Sequence, residues 1–252
     1  MKKLKAIVFD VDGTIADTEK NGHRVAFNLA FEELKLDWYW SVAEYGILLS
    51  TTGGRERLLR YIKESHPNFK PTKKSLNDFI IKTHKIKTKF YLQLLKMGNI
   101  KLRPGIARLI KEARDKNIIL AIATTTTYAN VELLLKTNLG SDSINLFAVI
   151  GAGDIVQNKK PAPDIYQYVL DKLKLNSDDC IAIEDSYQGL CSATNADIRT
   201  IITDNSYTQK QDFSKSILHC NHLGENENPC TIHNNGNNLK KIIDIDLMQS
   251  LL

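Results

Sequence analysis

Five short apolar runs rich in β-forming residues punctuate the chain: KAIVFD near the start and, after a long gap, NIILAIATT, FAVIGAGD, CIAIED and RTIIT. Helix-length segments precede and separate the last four, namely PGIARLIKEARDKN, YANVELLLKTN, PAPDIYQYVLDKLKLN and SYQGLCSATNAD. Strands alternating with helices of this length predict a parallel sheet covered on both faces, a doubly wound α/β core. The stretch from about Thr18 to Gly98 breaks the alternation. It reads as helices only: GHRVAFNLAFEELK, RERLLRYIKE, and a long segment from Ser75 to Lys96 in which Phe79, Thr83, Ile86, Phe90 and Leu94 recur at helical spacing. The expected organisation is therefore a discontinuous core, residues 1–17 and 99–252, with an all-helical cap domain, residues 18–98, inserted after the first strand. Its two crossings, near Asp17 and near Met97 to Leu102, are the expected hinges. After Asp204, the polar NHLGENENPCTIHNNGNN predicts a surface loop and LKKIIDIDLMQSLL a final helix.

In an open parallel sheet, ligands bind beyond the carboxyl ends of the strands, and polar residues fall there. The first run stops at Asp10, followed by Asp12 and Gly13; the second stops at Thr124; the loop after the third carries Lys160; the fourth stops at Glu184 and Asp185. Together they suit phosphoryl transfer. Asp10 can attack phosphorus and also bind Mg²⁺, with Asp185 and the backbone carbonyl of Asp12 as further hard oxygen ligands and Glu184 supporting the metal. Lys160 offsets the repulsion between nucleophile and phosphate. Thr124, with Thr125 and Thr126 at the start of the next helix, can hold the phosphate. Asp12 is placed to act as general acid and then general base. Singly, each has a plainer reading: an Asp-Gly turn, a solvated loop lysine, a helix N-cap. Order and position at strand ends favour the catalytic one.

The set DVDGT, Thr124, KKPAPD and ED resembles the four motifs of the haloacid dehalogenase superfamily. Within it, ADTEKNGHRVAFN, TGGRER, LRPGI, ATTT and YT are similar to the CbbY-type sugar-phosphate phosphatases. The resemblance implies removal of one phosphate from xylulose 1,5-bisphosphate. That family has Lys where this chain has Arg55, which keeps the charge and changes its geometry. In the cap, the resemblance suggests Glu19 for the sugar hydroxyls, with His23 and Arg24 beside it. A packed cap histidine and a substrate role are both open for His23. Gly53 and Gly54 offer backbone N–H groups beside Arg55 and Arg57, which suits a second, non-reacting phosphate; a glycine turn opening a basic helix is the alternative. A sugar phosphomutase of the β-phosphoglucomutase type shares the core motifs, and a non-catalytic sugar-phosphate sensor is the rival from another class.

Bulk properties add exclusions. The 252 residues carry 42% hydrophobic and 25% charged side chains, ordinary globular values, and no apolar run reaches the roughly 18 residues that span a bilayer. A cytoplasmic monomer acting on a small phosphorylated sugar is the expectation, without membrane or nucleic-acid partners. The formal charge of +5 is modest, and Lys63, Lys70, Lys73, Lys74, Lys82, Lys85, Lys87, Lys89, Lys96 and Lys101 read as a solvated helical face. Cys180, Cys191, Cys220 and Cys230 form no CxxC pair and are expected as thiols. His219, Cys220, His222, Cys230 and His233 lie close in sequence but match no standard zinc spacing, so they read as part of a surface loop. Trp38, Tyr39 and Trp40 read as packing within the cap rather than as a stacking platform for bases.

Overall fold

All five apolar runs form strands that pair in parallel in the computed structural model, which describes residues 3–51, 53–71, 75–233 and 239–252. They are β1 (Ala6–Phe9), β2 (Ile119–Ala123), β3 (Val149–Gly151), β4 (Cys180–Glu184) and β5 (Arg199–Thr203). Three more strands, β6 (Leu218–Cys220), β7 (Cys230–Ile232) and β8 (Leu239–Lys241), extend one edge in the order β3-β2-β1-β4-β5-β6-β7-β8. β6 joins parallel to β5, while β7 and β8 add antiparallel. The tail thus differs from expectation: one part of the anticipated loop pairs as β7, LKK is β8, and the last helix begins only at Ile245. Residues 234–238 of the anticipated loop lie outside the described residues.

Between strands run α5 (Ile106–Asp115), α6 (Tyr128–Leu139), α7 (Asp164–Leu173) and α8 (Tyr187–Asn195), with α9 (Ile245–Ser250) at the end. Alternate strand residues Ala6 and Val8, Ala121 and Ala123, and Cys180 and Ala182 pack with Ile165, Tyr166 and Val169 of α7 and Ala193 of α8. Small side chains at these positions let helix and sheet approach closely. The intervening Ile7, Phe9, Leu120, Ile122, Ile181 and Ile183 are buried too, as a sheet covered on both faces requires. From β1 the chain moves outward through β2 to β3, then returns to start β4 on the other side of β1. This reversal opens a crevice beyond the carboxyl ends of β1 and β4.

The chain divides into two compact units, Met1–Asp17 with Lys101–Leu252, and Thr18–Ile100. The second boundary falls after the expected residue 98 because Ile100 is buried against Gly22 and Tyr91. The helical unit consists of a π-helical turn (Glu19–His23), α1 (Arg24–Glu33), α2 (Val42–Leu48), α3 (Gly54–Ser65) and α4 (Leu76–Lys96). Ser41 and Glu44 form a reciprocal cap at the start of α2, a short helix that the apolar pattern does not announce. Trp40 is fully buried, its ring 4.6 Å from Phe27 and 5.1 Å from Phe31, and Trp38 is buried too, so these two are packing; Tyr39 between them is exposed, contrary to expectation, because its side chain points away from that cluster. The inward stripe of α4 is Ile80, Thr83, Lys87, Tyr91 and Leu95, rotated from the anticipated one. Lys87 is buried, which corrects its assignment to a solvated face. Among the described residues no helix is long and apolar enough to cross a membrane.

Candidate active site

The site begins with backbone chemistry. β1 lies centrally in the sheet, and its ladder continues as the Asp10 N–H donates to the Ile183 carbonyl (3.0 Å), which fixes Asp10 beside the end of β4. After it the chain folds tightly, with the N–H groups of Thr14, Ile15 and Ala16 all donating to the Val11 carbonyl. Gly13 has φ +91°, and a Cβ there would collide with the carboxylate of Asp185, so glycine is required for both conformation and space.

Lys160 joins the strand ends. Its Nζ donates to Asp10 Oδ1 (2.6 Å), Glu184 Oε1 (2.6 Å) and the Ala123 carbonyl (2.9 Å), and all three side chains are buried. Glu184 Oε1 also accepts from the Tyr166 hydroxyl at 2.7 Å. Glu184 is thus committed to orienting Lys160, and a Cβ at Gly189 would overlap its carboxylate. Asp185 Oδ2 accepts from Asn205 Nδ2 at 2.7 Å. Thr124 Oγ1 accepts from the Thr126 N–H (3.2 Å), and Thr126 Oγ1 accepts from Asn130 Nδ2 (3.1 Å) beside the N-terminus of α6. Thr125 and Asp12 are partly exposed, next to buried Thr124 and Asp10.

Burial raises the Asp10 carboxyl to about 7; Lys160 opposes this, and the Glu184 and Asp12 carboxylates add to it. Asp185 is likewise raised by burial, then by Asp10 and Glu184. Lys160 is held above its usual range, because the attraction of Asp10 and Glu184 outweighs the burial that disfavours its charge. Three carboxylates, Asp10, Glu184 and Asp185, have oxygens within 4.8 Å of one another against one ammonium, an excess of negative charge in a buried place. A hard dication answers that excess and matches the all-oxygen donor set, so the residues fit Mg²⁺.

A pH dependence follows. A carboxyl whose native value is raised favours the fold below its unfolded value near 4, and this contribution is lost as pH rises through about 7. Metal binding needs both carboxylates ionised, so Mg²⁺ affinity is expected to rise by at least about tenfold per pH unit from 5 to 7. Calorimetric titration across that range checks it; a flat profile would show that Asp10 does not lose a proton on binding.

The helical unit holds a second polar cluster. Glu19 Oε2 accepts from the Tyr45 hydroxyl (2.5 Å), which accepts from Arg57 Nη1 (2.6 Å), and Arg57 lies 3.7 Å from Glu19. His23 is buried, stacked on Tyr91 at 4.0 Å, with Nδ1 2.7 Å from Lys87 Nζ. Arg24 donates to the carbonyls of Lys20 and Trp40, so it braces backbone. Arg55 is exposed, and the Glu56 carboxylate lies against Gly53 at the start of α3; Thr52 lies outside the described residues. His84 is lowered to about 4 by burial and by the nearby charges of Lys87, Arg55 and Arg57. Burial contributes most to that shift, and the neighbouring cations add to it.

Sequence reasoning missed Tyr166, Asn205 and Arg103 in the core and Tyr45, His84 and Lys87 in the helical unit. Lys87 left a signal, since it falls on the inward stripe of α4 four residues from Thr83 and Tyr91, and His84 lies beside that stripe. Asn205 and Tyr166 sit in loop and helix contexts with no local pattern to mark them.

The chain matches the family model of haloacid dehalogenase-like hydrolases over residues 7–203. It is 44% identical over 230 residues to the plasmid-encoded protein CbbY of Cupriavidus necator, covering 91% of this chain and 90% of that one. It is 31% identical over 203 residues to the phosphorylated carbohydrates phosphatase of Thermotoga maritima, covering 79% of this chain and 84% of that one. Among solved structures it is similar to CbbY from Rhodobacter sphaeroides in complex with xylulose-(1,5)bisphosphate, with a TM-score of 0.76 and 43% identity over 84% of this chain and 92% of that one.

Proposed function

We propose that this chain, a phosphatase that belongs to the haloacid dehalogenase-like hydrolase family, hydrolyses xylulose 1,5-bisphosphate to a monophosphate through an aspartyl phosphate on Asp10. The observation that carries the chemistry is the Lys160 ammonium bonded at once to Asp10 and Glu184 at the strand ends. The likeness to a structure that binds the bisphosphate supports the substrate.

In this reading a carboxylate oxygen of Asp10 forms a bond to phosphorus as the bond to the sugar oxygen breaks, and Asp12 gives its proton to that leaving oxygen. Asp12 then takes a proton from the water that attacks phosphorus, the bond to Asp10 breaks, and orthophosphate leaves. Lys160 holds the Asp10 carboxylate in one orientation and places positive charge where the phosphoryl oxygens gather. Tyr166 and Glu184 keep Lys160 charged and fixed. Thr124, Thr125 and Thr126 supply hydroxyl and backbone donors at the start of α6 for the reacting phosphate. Asp10 and Asp185, with the Asp12 carbonyl, would hold Mg²⁺, while Glu184 acts on it through Lys160. When bound, Mg²⁺ supplies charge neutralisation and polarises the transferred phosphoryl group.

The helical unit is the cap of this reading and its source of specificity. The positive cluster of Arg55, Arg57 and Lys87, together with Gly53 and Gly54, suits a second, non-reacting phosphate, and Glu19 suits sugar hydroxyls. His23 serves there as a packed support for Lys87.

The test is incubation of purified protein and Mg²⁺ with xylulose 1,5-bisphosphate, following orthophosphate and sugar products together. One phosphate released per sugar is expected. A product dominated by isomerised sugar phosphate would make the protein a phosphomutase, and hydrolysis of other sugar phosphates in preference would displace the substrate but not the chemistry. Arg55→Ala and Arg57→Ala are expected to raise KM for the bisphosphate about 10- to 100-fold, since each removes a charged hydrogen-bond donor. Unchanged KM values in both variants would remove the second phosphate from this cluster.

A further inference from the structure

Beyond the carboxyl end of β5, on the edge built by the tail, three potential metal ligands meet outside the segment that matches the family model. Asp204 follows β5 directly, His219 lies in β6 and His233 follows β7. His219 Nε2 is 2.7 Å and His233 Nε2 3.0 Å from the same oxygen, Asp204 Oδ2, and the three ligand atoms lie within 4.8 Å of one another. We propose that these residues form a site for one transition-series dication such as Zn²⁺, separate from the Asp10–Asp185 site.

The sheet fixes the positions of the ligands. The Asp204 N–H donates to the Cys220 carbonyl at 2.9 Å, and the His233 N–H donates to the His219 carbonyl at 2.8 Å. Ladder pairing sets Ile202 opposite His219, and the two imidazole rings lie 4.5 Å apart. Ligand spacing is therefore imposed by backbone hydrogen bonds between neighbouring strands, with little side-chain freedom left to lose on binding. Without a metal, protons on the two Nε2 atoms can satisfy one carboxylate oxygen. A dication replaces those two protons, with each ring carrying its proton on Nδ1 instead. Tetrahedral coordination with bonds near 2.0–2.1 Å separates ligand atoms by about 3.3 Å, so the two imidazole nitrogens, at 2.7 and 3.0 Å from the carboxylate oxygen, need to move out from it by roughly half an ångström or less.

The chemistry of the set selects the ion. Two imidazoles and one carboxylate suit Zn²⁺, Co²⁺ or Ni²⁺ and disfavour Mg²⁺, which takes oxygen ligands. The carboxylate is buried and the imidazoles are progressively more exposed, so the fourth position faces solvent. His222 is not part of the set, because its Nδ1 accepts from the Gly224 N–H at 3.0 Å. Cys220 is not part of it either, because its Sγ donates to the Ile202 carbonyl at 3.4 Å. Asn205, the residue after Asp204, donates to Asp185, so an ion here would stiffen a segment that orients the catalytic carboxylate. The sequence offers no standard zinc spacing because the ligands are separated by unequal loops and brought together only by strand pairing.

The experiment uses the full chain, stripped by chelation and held in excess Mg²⁺ so that the catalytic carboxylates are occupied. Zn²⁺ is titrated calorimetrically, and Co²⁺ is followed by its visible absorption. One equivalent of Zn²⁺ and the strong visible bands of four-coordinate Co²⁺ with nitrogen ligands are expected. His219→Ala and His233→Ala should each weaken Zn²⁺ binding at least about 100-fold, with circular dichroism confirming the fold. His233 is exposed, so its variant carries the test even if His219→Ala does not fold. No Zn²⁺ bound by the wild-type chain, or equal affinity and stoichiometry in the His233→Ala protein, would overturn the proposal. Binding lost in Asp185→Asn but kept in both histidine variants would do so as well, by placing the ion at the catalytic carboxylates.

Discussion

Asp10→Asn protein is expected to lose at least about 10⁴-fold of its turnover while still binding the phosphorylated sugar. The amide has the shape of the carboxylate but no nucleophilic oxygen anion, so the aspartyl phosphate cannot form. The surrounding contacts survive, because the Asn carbonyl can still accept from Lys160, which keeps its bond to Glu184. Loss of fold does not explain such a result. Burial disfavours the ionised Asp10 and holds its carboxyl near 7, so a neutral isostere removes a cost that the metal-free protein bears at higher pH. At pH 8 without Mg²⁺, the variant should therefore melt no lower than the wild type. Single-turnover assays with labelled bisphosphate, paired with equilibrium binding, separate the two effects. Turnover within tenfold of the wild type would exclude Asp10 as the nucleophile, and loss of binding together with turnover would mean that the carboxylate holds the substrate rather than attacks it.

The sheet and the polar residues at its strand ends were legible because two signals coincided. Apolar runs of strand length identify β1 to β5, and the chemistry falls at their carboxyl ends, so reading one located the other. Where the signals separate, the reading fails. Lys87 interrupts the apolar stripe of α4, and a stripe one position away looked better although Ile80, Thr83, Tyr91 and Leu95 are the buried set. A buried lysine breaks the rule that charge marks solvent, and here it is accommodated by His23 and by the rings of Phe27 and Tyr91. The tail strands were hidden for another reason. β6, β7 and β8 are three residues each and rich in His, Cys, Thr and Lys, so their stability comes from joining an existing sheet edge rather than from their own composition.

Arg103 shows what neither pattern nor motif can carry, and replacing it has the second large effect expected of this protein. Its guanidinium is buried among carbonyls from three separate stretches of chain. Nη1 donates to the carbonyls of Gly13 and Thr203 (2.7 Å to the latter) and to Thr203 Oγ1 (3.1 Å); Nη2 donates to the carbonyls of Asp204 and Asn221 (2.6 Å to the latter). Five acceptors converge on one planar fork, which a single point charge cannot reproduce. Arg103→Met keeps the apolar stem and leaves the buried carbonyls without a donor. Each such group costs about 1–3 kcal/mol, partly recovered by relaxation and water, so a net loss of about 3–5 kcal/mol is expected. For a domain of this size that lowers Tm by roughly 10 °C. The catalytic consequence follows from the acceptors themselves. Gly13 packs on the Asp185 carboxylate, and Asp204 precedes the Asn205 that donates to it, so releasing both loosens a proposed metal ligand from two sides. In the folded variant kcat should fall more than KM rises, and apparent Mg²⁺ affinity should weaken, with Arg103→Lys intermediate in all three. Denaturant unfolding within about 1 kcal/mol of the wild type would mean that water replaces the guanidinium; a stability loss with unchanged Mg²⁺ affinity would confine Arg103 to holding the fold.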